Sequence, residues 1–355
     1  LIIIIITNRR DEGKHFDGYR DPGYAEPVRG FLKIVIIVSG LAFAATLIIS
    51  TATAIRLGAA MATPSSKSAP DALFHLLAIV PAGDHGRYFD RVVASMERAA
   101  KKDGAVLQTL SYASGDGPEA IARLLLLATE LEPDGVIVNA PPDARIIEAV
   151  RGLERRGVPV LALESDLPAS GRAVFIGTNP YSIGVIAAGA VSDSFPQGAR
   201  AALVLSRDYA EGVSGGATIV AGFMHRARTS KGLELAMTRT SQEGPSASEE
   251  IVRELLSEHA DIDVAVFIGA RDSEGAARAI IEYDKVGRLA IIGFDDDPAL
   301  LELIQMGVVT ASIARSPDRS GEEAVKAAMT MARGGRASAY IDPGLRVIRR
   351  DGGTR

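Results

Sequence analysis

The sequence predicts an α/β protein of two doubly wound lobes, with an apolar helix ahead of them. Three observations predict it. From Phe74 onward, short apolar runs alternate with helical patterns. The runs are continuous rather than polar-alternating, which marks strands of parallel sheets covered on both faces. There are ten of them, too many for one small open sheet and about right for two layered lobes.

The chain begins with Leu, not Met, so a fragment or an alternative start codon is expected. Residues 1–33 read as a polar extension without usable periodicity, and residues 1–27 as a misassigned upstream stretch. Residues 34–55 carry no charge; Arg29 and Lys33 precede them and Arg56 follows. About 20 apolar residues span a bilayer, so a retained anchor is one reading. A basic start, a short apolar core and small-residue sites at Ala52/Ala54 or Ala60/Ala62 make a cleaved signal peptide the favoured one. Cleavage would fall between Ile55 and Asp71. Residues 56–73 read as a linker, with the turn-rich TPSSKSAPDA at its end.

The strands expected in the folded part are His75–Val80, Val106–Leu110, Gly135–Asn139, Pro159–Leu163, Val174–Gly177, Ala201–Leu205, Glu234–Thr238, Val264–Gly269, Leu289–Phe294 and Val309–Ala314. Helical patterns lie between most of them, among them Phe89–Lys102, Glu119–Leu131, Ala144–Arg156, Ser182–Ser194, Ser248–Glu258 and Glu274–Tyr283. After the strand Leu289–Phe294 come three carboxylates, Asp295, Asp296 and Asp297; Pro298 then opens a helix and Gly307 closes it. In open parallel sheets ligands bind outside the carboxyl ends of strands, so a carboxylate there can accept from ligand hydroxyls.

This stretch, LAIIGFDDDPALLELIQMGVVTASIA, resembles the ribose/galactose-type (type I) periplasmic sugar-binding proteins of bacterial ABC importers. The ligand domains of LacI-type regulators share the pattern. The resemblance covers about residues 74–350. It implies two Rossmann-like lobes joined by three crossings, near Gly177–Asn179, Arg315–Pro317 and Gly344–Leu345. The lobes would comprise residues 74–177 plus 316–344 and residues 178–315 plus 345–351.

The resemblance also nominates ligand contacts. Gly86, Arg87, Tyr88 and Phe89 stand where the family carries Asn-Pro-Phe-Phe, so Tyr88 and Phe89 are candidate faces for a sugar ring; either ring can instead be helix core. Glu164 takes the place of an Asp after "GIPVV". Asn139 ends a strand and either faces the cleft or forms an Asx turn before Pro141. Asn179 takes the hinge Asp position, where a helix cap also explains it. Ile219 replaces a sugar-gripping Arg. Arg271 or Asp272 stands near the family's ligand-binding Asn, the alignment being ambiguous by one residue. Asp295 matches the ligand-gripping Asp, Asp297 reads as a cap, and Arg315 replaces a Gln. Losing an Arg at 219 and gaining charge at 271 and 315 points to an acidic or electron-rich sugar derivative, since Arg favours oxyanions; the competing reading pairs Arg315 with Asp295 or Glu164, where it only tunes the hinge.

Composition narrows the function classes. Apolar residues are 47% and charged ones 23%, ordinary for a globular chain, and a net charge of −5 gives no electrostatic case for nucleic acid. With no cysteine there is no disulfide, thiol nucleophile or lipoprotein anchor, which fits an oxidising compartment. There is no G-x-S-x-G, phosphate loop or H-E-x-x-H, and the histidines are scattered. No enzyme, metal or cofactor is expected. The reading is an exported solute-binding protein that closes on a sugar by hinge motion and docks an ABC permease, in the periplasm or cell envelope. A membrane contact would run only through residues 34–55, if uncleaved. The alternatives are a membrane-anchored ligand sensor feeding a histidine kinase or chemoreceptor, which a retained helix would favour, and a transcription regulator, which needs a helix-turn-helix that residues 1–73 do not offer.

Overall fold

The computed structural model describes residues 74–82, 86–113, 115–211, 215–242 and 244–350, together with Phe43 and Thr46. Apart from those two, the extension, apolar segment and linker expected over residues 1–73 lie outside the described residues. Among the described residues no helix is long and apolar enough to cross a membrane. The described residues from Phe74 onward belong to one compact unit, which holds two sheets.

The first lobe opens with β1 (Phe74–Ala82), α1 (Gly86–Asp103), β2 (Ala105–Ala113), α2 (Gly117–Leu131), β3 (Gly135–Val138), α3 (Ala144–Arg155), β4 (Val160–Leu163) and β5 (Val174–Ile176). The second follows with α4 (Pro180–Ser194), β6 (Ala199–Ser206), α5 (Arg207–Glu211), α6 (Gly215–Ala227), β7 (Leu233–Ser241), α7 (Pro245–Glu258), β8 (Val264–Ile268), α8 (Ala270–Glu282), β9 (Ala290–Phe294), α9 (Pro298–Gln305) and β10 (Ala311–Arg315). The chain then returns through α10 (Pro317–Ala332) and β11 (Tyr340–Ile341), and ends on β12 (Leu345–Ile348).

The sheets run β2-β1-β3-β4-β5-β11 and β7-β6-β8-β9-β10-β12. Only β12 is antiparallel to its neighbour among the described pairings. Each sheet thus repeats one doubly wound order, with its switch point between β1 and β3 or between β6 and β8.

The apolar runs explain the sheets' burial. Along β1, Leu76, Ala78 and Val80 enter one core cluster, while Leu77 and Ile79 enter the other. Along β8, Val264, Val266 and Ile268 face one side and Ala265 and Phe267 the other. A strand with helices on both faces needs apolar residues at every position, and each large one contributes roughly 1.5–3 kcal/mol on burial.

Helix α4 packs into the second lobe through Ile183, Ala187 and Val191. Its contact with α6 is backbone to backbone. A Cβ on Gly184 would stand 1.9 Å from the Ile219 carbonyl oxygen, and one on Gly222 would stand 2.1 Å from that of Tyr181. Helix α10 instead packs on the first sheet, through Ala324, Val325 and Ala328. Several elements depart from the sequence expectation. Strands β2 and β7 each run three residues further, to Ala113 and Ser241, as edges whose polar residues hid their ends. Strand β11 has two residues and no apolar run, and exists through pairing with β5.

Candidate functional site

The carboxyl ends of both sheets open on one cleft of about 1290 Å³. Tyr88, Phe89, Asn139 and Glu164 line it from the first lobe, Thr178 at the crossing between lobes, and Arg207, Ile219, Arg271, Asp295 and Arg315 from the second.

Two carboxylates hold equivalent places. Glu164 follows β4 and Asp295 follows β9, and both are left-handed, with φ of 60° and 68°. Their amides donate to Ile176 O and Ile313 O, on the next strand of each sheet. A left-handed residue just past a strand turns its side chain off the sheet. That conformation is costly for a non-glycine residue, and such strain gathers at ligand clamps.

Arg315, at the end of β10, joins the two. Its Nε and Nη2 donate to the Asp295 carboxylate at 3.0 and 2.6 Å. Its Nη1 lies 3.9 Å from Glu164 Oε2. The guanidinium sits 3.8 Å from the centre of the Tyr88 ring, a cation–π contact. Burial opposes the charge on Arg315, but Asp295, together with Tyr209 and Tyr88, outweighs it and holds Arg315 protonated well beyond its ordinary range.

On the first lobe, Tyr88 donates to Glu164 Oε1 at 2.5 Å, and Ser320 at the start of α10 donates to the same oxygen at 2.8 Å. Burial, and then the Glu164 charge, push the Tyr88 phenol well above its usual range. The Thr178 hydroxyl oxygen is buried at the hinge with no hydrogen-bond partner among the described residues. At the rim, Arg91 of α1 pairs with Asp296 at 2.7 Å, and Arg346 of β12 pairs with the same carboxylate. The first of these contacts crosses between lobes.

The nominated residues divide. Tyr88, Asn139, Glu164, Arg271, Asp295 and Arg315 all reach the cleft lining. Tyr88 does so with one face under Arg315, so it is not the open platform expected. Phe89 touches the cleft but is mainly core, packed among Val92 and Met96 and edge-on to Tyr88 at 5.4 Å. Asn139 forms no Asx turn; it donates to Leu163 O and accepts from Tyr112, both at 2.8 Å.

Two nominations need correction. Asn179 is absent from the lining, because its side chain caps α4 by accepting from Tyr181 N at 2.8 Å. Asp272 is buried behind the wall, accepting from Gly244 N at 2.8 Å and Ser241 Oγ at 3.0 Å. Burial pushes its carboxyl upward. Consecutive residues in a helix's first turn face apart, so Arg271 takes the cleft and Asp272 the interior. Arg315 lines the cleft and is paired with Asp295, as its competing reading had it. Sequence reasoning missed Arg207, Ser320 and the Arg91–Asp296 pair, whose partners lie far apart in the chain. No group of three metal-ligating side chains occurs among the described residues.

A family model described as a periplasmic binding protein domain matches residues 77–336. The chain is 24% identical, over 60% of its length and 68% of the relative's, to the ribose import binding protein of Bacillus subtilis (strain 168). Among solved structures it is similar to GanP, a glucose-galactose binding protein from Geobacillus stearothermophilus, with 23% identity and a TM-score of 0.68, covering 78% of this chain and 98% of that one. It is also similar to the XylFII molecule, with 25% identity and a TM-score of 0.64, covering 78% and 99%. The XylFII–LytSN complex matches at 24% identity and a TM-score of 0.66, covering 79% and 100%.

Proposed function

The chain belongs to the periplasmic binding protein family, and from that premise we propose that it is an exported protein that captures a sugar or sugar derivative in the interlobe cleft. The observation that carries this reading is the matched pair of strand-end carboxylates, Glu164 and Asp295, one from each lobe and both facing Arg315. Each accepts hydrogen bonds, and Arg315 keeps negative charge tolerable in a half-dry cleft. A polyol that donates to both ties the lobes together. A hydrogen bond to a charged group contributes about 1.5–3 kcal/mol, so two such bonds favour the closed form. Rim contacts such as Arg91–Asp296 add little individually, since exposed pairs are worth about 1 kcal/mol or less, but they sit where closure is decided.

The lobes of this reading are residues 74–177 plus 316–344 and residues 178–315 plus 345–351, hinged at the three crossings between sheets. The closed form would dock an ABC permease and release the sugar to it. A role in import is favoured by the likeness to the ribose import binding protein. A second reading, docking onto a membrane sensor, is favoured by the likeness to XylFII, which forms a complex with LytSN. Membership of the family supports an exported location. A thermal-shift screen of sugars, sugar acids and sugar phosphates on the purified chain tests sugar capture, and no stabilisation by any of them would reject it. Pull-down with the ligand-bound chain, comparing permease with sensor, separates the two partners.

A further inference from the structure

The second lobe's wall carries positive charge that the Arg315 network does not use. Strands β6 and β8 pair in register from Ala201 with Val264 to Leu205 with Ile268. The residues that follow therefore leave the sheet side by side. A Cβ on Gly269 would stand 2.9 Å from the Ser206 Cβ. Arg207 comes directly after Ser206 and Arg271 two residues after Gly269, and both line the cleft. They flank the lobe's switch point, where doubly wound sheets bind ligands.

Neither guanidinium has a carboxylate partner among the described residues. Arg207 donates to the Gln242 side-chain carbonyl, a neutral acceptor. Arg271 is exposed, and its charge is felt by Asp272, whose carboxylate is turned inward toward Gly244 and Ser241. Five of the carboxylates that line the cleft, Glu164, Asp166, Glu274, Asp295 and Asp296, by contrast each face an arginine. The amino end of α8 at Ala270 adds its partial positive charge beside Arg271. Two forked cations with no carboxylate partner among the described residues, in a cleft between lobes, offer the donors that an oxyanion accepts.

We infer that the ligand is a polyol bearing a compact oxyanion, phosphate or carboxylate, which docks between Arg207 and Arg271 while the hydroxyls face Asp295 and Glu164. The spacing fits. Adjacent strands lie about 5 Å apart, so Asp295 on β9 is one strand from Arg271 and about 10 Å, two strands, from Arg207. That is the span of a phosphorylated or carboxylated pentose or hexose. The inference rests on sugar capture as proposed above, and names the substrate class for the same cleft.

Calorimetric titration of the purified full chain with ribose 5-phosphate and galacturonate, each beside ribose and galactose, tests it. One anionic probe should bind more tightly than its neutral counterpart by about tenfold or more, the scale of one charge-assisted hydrogen bond. The phosphate and carboxylate arms say which oxyanion is taken. Arg207→Gln and Arg271→Gln should each remove about tenfold of that affinity and leave the melting temperature unchanged; both side chains sit on the cleft wall, so folding is spared. Neutral sugars binding as tightly as the anionic ones, or both variants binding the anionic probe as the parent does, overturns the inference and leaves sugar capture standing. Failure of all four probes overturns both.

Discussion

Replacing Arg315 with Gln removes two hydrogen bonds to Asp295, the approach to Glu164 and the cation over Tyr88, all at once. The Asp295 and Glu164 side chains are 12% and 7% exposed, so solvent replaces little of what is lost. Breaking a buried pair by removing one partner costs about 3–5 kcal/mol, and water at the cleft mouth sets the value near about 3. For a unit of this size that lowers the melting midpoint by about 5 °C. Differential scanning calorimetry of Arg315→Gln reads it directly. The cost arises from the orphaned carboxylate, so Asp295→Asn on the same background should recover part of it. The double-mutant coupling should exceed about 1 kcal/mol. A melting point within about 1 °C of the parent, or additive single effects, would refute the view that Arg315 neutralises the strand-end carboxylates.

Other expectations follow from single contacts. Tyr88→Phe keeps the ring under Arg315 but removes the donor to Glu164 and should cost about 1–3 kcal/mol in urea titration, since the hydrogen bond is to a charged acceptor; Tyr88→Ala should cost more. Gly222→Ala puts a methyl 2.1 Å from the Tyr181 carbonyl oxygen and should lower stability by about 3 kcal/mol or prevent soluble expression, whereas Gly152→Ala, with open space around it, should not. Arg91→Ala should change stability by about 1 kcal/mol or less, because that side chain is 41% exposed, but should speed ligand release in stopped-flow measurements. N-terminal sequencing of the exported protein should begin between Ile55 and Asp71.

Much of the fold was legible because its strands are buried on both faces. VAVFI and GVIV can be little else when helical patterns flank them. Strand-end acids were legible for the same reason: Asp295 follows directly on an apolar run. Pairing was legible only as an alternative. Nothing local in SIARSP decides between Arg315 donating to a ligand and Arg315 pairing with Asp295 or Glu164; the structure has it on Asp295. The Arg271–Asp272 ambiguity turned on one residue of helix phase, which burial of Asp272 beneath Gly244 settles. Arg207 looks like an ordinary charge after a strand. Only the β6–β8 register sets it beside Arg271. Asn179 was weighed as hinge contact or cap, and its proximity to the Tyr181 amide makes it the cap.

The central claim is that Glu164 and Asp295 grip one ligand from two lobes. Calorimetric titration of the best ligand from the sugar screen into the parent, Glu164→Gln and Asp295→Asn tests it most directly. The account predicts one site per chain, and affinity weakened by about tenfold or more in each variant. One-site binding that persists at full affinity in both variants would place the ligand elsewhere and contradict the account.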